Sequence, residues 1–161
     1  MASLFQRVAA FHREHPRAWT WHATMVMAGL SLVVGLGTVF YDGLLNPQFR
    51  AMVFFVTIGV AALYVPGVVL GVAAIGVRRG WLRWVRAGVA AAIVQGVLAL
   101  GAVAGHLWLG PVSLLLILGG LFWATGDFYV AWRLKRSLPW VAADAEGKRG
   151  FAIEVAEAEA A

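Results

Sequence analysis

Residues 78–105 read RRGWLRWVRAGVAAAIVQGVLALGAVAG. Arginines 78, 79, 83 and 86 and tryptophans 81 and 84 crowd the start, and from Ala87 to Gly105 there is no formal charge. An apolar run of roughly 20 residues, wound as a helix rising ~1.5 Å per residue, crosses ~30 Å of hydrocarbon. Arginine beside such a run is retained on the cytoplasmic side. The stretch therefore predicts a transmembrane helix and also which of its ends stays inside.

Three more runs of this kind lie outward from it. The four together fall at about 19–40, 51–77, 85–105 and 111–132. Arg86 sits at the mouth of the third; deeper inside the runs the one formal charge is Asp127. Lipid offers the backbone no hydrogen-bond partner, so each run must be helical despite its many Val and Gly residues. Arg7, Arg13 and Arg17 precede the first run, and Arg133, Lys135 and Arg136 follow the fourth. The remaining two loops carry Arg50 beside Asp42, and no formal charge over 106–110. This alternation predicts a multi-pass protein of the cytoplasmic (inner) membrane with both termini in the cytoplasm. Trp19, Trp21, Trp81, Trp84, Trp132 and Trp140 then fall at the inner boundary and Trp108 at the outer one, as amphipathic rings prefer. Trp123 alone falls well inside a run.

Composition agrees. Hydrophobic residues make up 61% and charged residues 13%, against about 25% charged in soluble domains. The net charge of +5 is gathered beside the apolar runs, which names the lipid bilayer as partner and gives nucleic acid no patch to bind. With no cysteine, there is no disulfide, thiolate nucleophile or Cys-ligated metal.

The predicted fold is all-α: a polytopic membrane protein with an antiparallel four-helix transmembrane bundle over 18–136. Residues 1–17 precede it as a cytoplasmic interfacial segment. There Ser3 and Gln6 match a capping box, and Leu4, Phe5, Val8 and Phe11 share one face of a short helix. Residues 137–161, rich in Ala, Glu and Asp, follow as a flexible cytoplasmic tail.

Membrane helices approach through small residues. Gly67 and Gly71 offer such a face on the second helix, Gly88, Gly96, Gly101 and Gly105 on the third, and Gly120 on the fourth. Polar residues inside the runs are the candidates for function. Asp127 is costly there, by ~2.5–3.5 kcal/mol at the bilayer centre. His22 lies at a similar depth on the first helix and is the candidate partner of Asp127, if the bundle closes with the first helix beside the fourth. Gln95, mid-way along the third helix, is expected to bond across helices. Arg79, Arg83 and Arg86, interleaved with Trp81 and Trp84, are candidates for anionic lipid headgroups. His22 and His106 lie at opposite ends of the bundle and cannot share a haem, so no cofactor or metal is expected.

No Walker sequence, dinucleotide fingerprint or nucleophile elbow is present. The leading expectation is a non-enzymatic structural or accessory membrane component that assembles, with itself or a larger partner, through Gly/Ala helix faces. Two alternatives stand beside it. The general form resembles phage holins in being small, apolar, basic beside the membrane and charged in the tail, which implies a permeabilising oligomer. Asp127 suggests a small proton-coupled transporter. The helix count is that of the small multidrug exporters, but they carry an acid in the first helix, where this chain has none.

Overall fold

The computed structural model describes residues 15–38, 53–109 and 114–160. Within them the chain is all-helical, with four helices: α1 Pro16–Thr38, α2 Val53–Arg79, α3 Leu82–Leu109 and α4 Leu114–Ala160. Three candidate spans, Pro16–Leu36, Ala62–Arg79 and Leu82–Gly105, are long and apolar enough to cross a membrane. The expected interfacial helix over 3–14 lies outside the described residues.

Local chemistry sets the helix ends. The amide of Trp19 donates to the carbonyl of His15 at 3.1 Å, so the first turn opens at Pro16. Proline suits that position, since its fixed φ is helical and its missing N–H would have had no partner. The helix thus starts three residues before the expected Trp19. At the other end of the α1–α2 hairpin, α2 stops at Arg79 because Gly80 takes φ 75°. The Trp81 amide then donates to the Gly76 carbonyl at 3.0 Å, the capping bond of a Schellman turn. Only two residues separate α2 from α3.

Neighbouring helices contact in sequence, α1 on α2, α2 on α3 and α3 on α4, and α1 also touches α4. Each buries a stripe at spacings of three and four. On α1 the stripe is Thr20, Thr24, Met27, Ala28 and Ser31; on α4 it is Ala124, Asp127, Val130, Ala131 and Leu134. Leu70 of α2 and Val85 of α3 are fully buried between them.

Glycine allows the close approaches. A Cβ at Gly88 would collide with the Cβ of Ala73 on α2, and one at Gly120 with Val103 on α3. At Gly67 it would meet Ser31 Cβ at 3.0 Å, at Gly96 the Phe128 ring at 3.1 Å, and at Gly71 only Ala28 at 3.9 Å. Gly101 and Gly105 differ: a Cβ at either meets nothing within 4 Å among the described residues.

The segment after Ser137 departs from the sequence expectation. In place of a flexible tail, α4 runs on as helix through Pro139 to Ala160. Ala and Glu favour that conformation. The buried stripe also continues: Ser137 is fully buried and Val141 is 1% exposed, in one cluster with Leu134, Val77 and Val85. Arg17 of α1 reaches the extension, donating to Asp144 at 2.8 Å and to the Trp140 carbonyl at 3.4 Å.

Candidate functional site

The polar groups of the bundle form a row inside it. Thr20, Thr24, Ser31, Gln95, Asp127 and Ser137 are all at most 2% exposed. Most are satisfied locally. Thr20 donates to the Pro16 carbonyl, Thr24 to that of Thr20 and Ser137 to that of Leu134. Such bonds back to the preceding turn let a hydroxyl sit in an apolar interior. Gln95 uses a cross-helix partner: its Nε2 donates to Ser31 Oγ on α1 at 2.8 Å.

Four buried side chains keep an unsatisfied polar atom among the described residues: Asp127, Gln95, Trp123 and, at Nε, Arg133. Asp127 is fully buried, with neither carboxylate oxygen hydrogen-bonded. The candidate pairing with His22 does not form. His22 is exposed, with Nδ1 2.7 Å from the Ala18 carbonyl and its ring edge-on to Trp21 at 4.6 Å. It lies two residues from both Thr20 and Thr24, about 200° around the helix, and so on the opposite face from the buried stripe. The two residues share a depth and not a face.

On Gln95 the unsatisfied atom is Oε1 and on Trp123 it is Nε1. Both residues line a partly open cavity of about 390 Å³ bounded by residues of all four helices. Its remaining wall is aliphatic or glycine.

A second cavity, of about 490 Å³, lies at the start of α3 beside the α4 extension. Arg83, Arg86, Trp81, Trp84 and Glu146 line it. Two of the three arginines expected to meet lipid headgroups thus come together here, with a carboxylate opposite them. Arg79 stands outside, over the Trp81 ring at 5.4 Å. The same end of the molecule carries further arginine–tryptophan stacks, Arg78 on Trp21 at 4.5 Å and Arg136 on Trp132 at 4.4 Å. Arg133 donates there to the Pro16 carbonyl at 3.0 Å, and Trp19 Nε1 to Tyr129 Oη at 2.6 Å.

No family model, curated protein or solved structure matches this chain. Its function is therefore argued from the residues above. Among the described residues, no group of three or more His, Cys, Asp or Glu is placed to hold a metal ion. The sequence signal for the apolar cavity was Trp123, the tryptophan outside both boundary belts. Nothing in the sequence pairs it with Gln95, because the two lie on different helices.

Proposed function

We propose that this protein is a non-enzymatic structural or accessory component of the cytoplasmic membrane. It crosses the bilayer four times as an antiparallel bundle with both termini in the cytoplasm. It assembles with a second copy or a larger membrane partner through the Gly101–Gly105 face of α3.

The observation that carries the reading is the division among the glycines. Gly67, Gly88, Gly96 and Gly120 are each met by neighbouring helices of the same chain, while a Cβ at Gly101 or Gly105 would meet nothing within 4 Å among the described residues. Four residues apart, they lie one above the other on a helix. Exposed Val94, Val97, Leu98 and Trp108 surround them. A floor of this kind lets another helix approach closely, which is how membrane helices associate. The contacts between neighbouring helices run in opposite chain order, such as Gly120–Val103 and Gly88–Leu134, and support the antiparallel arrangement. Arg17, Arg78 and Arg133 gather at one end, which supports a shared cytoplasmic side. α4, with 47 residues, extends to about 70 Å, so much of it projects beyond the bilayer on that side.

Native mass spectrometry of the gently solubilised protein tests the proposal. A homo-oligomer or a stoichiometric larger partner, lost in Gly101→Leu and Gly105→Leu, is the expected result. A monomer without partners, unchanged by either substitution, refutes it.

Asp127 favours a second reading, a proton-coupled carrier, because a buried carboxylate lacking a hydrogen bond is a costly feature to keep in a membrane. On that reading Asp127→Asn abolishes pH-dependent transport and leaves the fold intact. On the first reading the substitution has no effect on assembly.

A further inference from the structure

The cavity bounded by all four helices has the wall of a lipid site and two polar atoms with nothing to bind. Its volume of about 390 Å³ falls in the roughly 300–1,000 Å³ range of small-molecule sites. Among the described residues, no charged one lines it. Gln95, 2% exposed, contributes an amide oxygen, and Trp123 an indole N–H, and neither atom has a partner among the described residues. Leaving a buried donor or acceptor unmade costs ~1–3 kcal/mol each, so the site favours an occupant that supplies the missing bonds.

We infer that this cavity binds a neutral acyl lipid bearing both a hydroxyl and an ester carbonyl, the chemistry of a monoacylglycerol. The hydroxyl donates to Gln95 Oε1. The ester carbonyl accepts from Trp123 Nε1. The acyl chain lies against the aliphatic wall that includes Val34 and Leu98. A phosphorylated headgroup is disfavoured, since among the described residues no cation lines the cavity to meet its charge. The inference is independent of assembly through Gly101 and Gly105.

The test is photo-crosslinking of the full-length protein in nanodiscs with a monoacylglycerol carrying a diazirine on its acyl chain, with the labelled residues mapped by mass spectrometry. The expected label falls on the cavity-lining residues, Val34 and Leu98 among them. Unlabelled monoacylglycerol competes it away and an alkane of the same length does not. Two variants separate the site from general lipid contact. Gly119 lines the cavity, and a Cβ there meets nothing within 4 Å, so Gly119→Leu fills the space without a backbone clash. It is expected to remove at least nine-tenths of the label while elution volume and helicity stay unchanged. Trp123→Phe keeps a ring and deletes only the donor, and is expected to weaken competition about five-fold, the effect of one ordinary hydrogen bond. Label confined to the lipid-facing surface, label undiminished in both variants, or equal competition by the alkane would each overturn the inference.

Discussion

Gly88→Ala is the sharpest perturbation of the bundle. The added methyl group would run into Ala73 Cβ on α2, with Leu134 Cδ1 of α4 at 3.2 Å on its other side. Carbon atoms rest at roughly 3.5–4.0 Å, so α2 and α3 must part by on the order of 1 Å. Ala73 has no side-chain torsion by which to yield. That distinguishes the site from Gly120, where the opposing atom is a Val103 methyl that can rotate. Overpacking of this kind costs about 1–3 kcal/mol. Alanine's better helix propensity returns ~0.5–1 kcal/mol of it. The net expectation is a loss of about 1–2 kcal/mol. The internal control is Gly29→Ala on α1, which gains the same propensity and meets nothing within 4 Å among the described residues. Unfolding in mixed micelles with increasing SDS, followed by circular dichroism, reads the difference. Gly88→Ala should unfold at a clearly lower SDS fraction than the parent and Gly29→Ala at an equal or higher one. Equal midpoints for the two variants would refute the close packing of α2 on α3.

Three further outcomes follow from single contacts. Gly80→Ala forces a side chain into a φ of 75° and should lower stability by about 1 kcal/mol in the same titration. Ser31→Ala removes the acceptor of Gln95 Nε2 and should cost about 0.6–1.7 kcal/mol, the span measured for cross-helix bonds in membranes; restoring it with Ser31→Thr should recover most of the loss. Val141→Ala, in the extension of α4, should cost about 1–2 kcal/mol because the side chain is buried against the bundle. If instead Val141→Ala is silent by hydrogen exchange and SDS titration, the extension does not pack as described.

Three of the four expected spans were legible because a membrane imposes length and composition together: few sequences hold roughly 20 apolar residues for any other reason. Their ends were less so. Arg83 read as loop, yet α3 already begins at Leu82, since a glycine with positive φ reverses the chain in two residues. The extension of α4 was missed because the change in composition after Ser137 masked an apolar spacing, Leu134, Leu138 and Val141, that continues the buried stripe. His22 and Asp127 mark a different limit. Depth follows from counting residues along two helices, but contact also requires the right face, and the Thr20–Thr24–Ser31 stripe already placed His22 on the other one. The glycines divide for the same reason: spacing defines a face, and only the neighbouring helices decide whether it is occupied. The α3 segment from Gly96 to Gly105 carries both outcomes within ten residues.

The central claim is a chain that crosses the membrane four times with both ends in the cytoplasm, and α4 is its decisive crossing. The absence of native cysteine makes single-cysteine labelling clean. Asn46→Cys and Gly110→Cys, on either side of the α2–α3 hairpin, and Gly147→Cys, in the extension of α4, are each exposed to a membrane-impermeant maleimide in intact cells. The account predicts labelling at positions 46 and 110, and labelling at 147 only after the membrane is permeabilised. Labelling of 147 together with 110 in intact cells would mean that α4 does not cross, and would contradict the account.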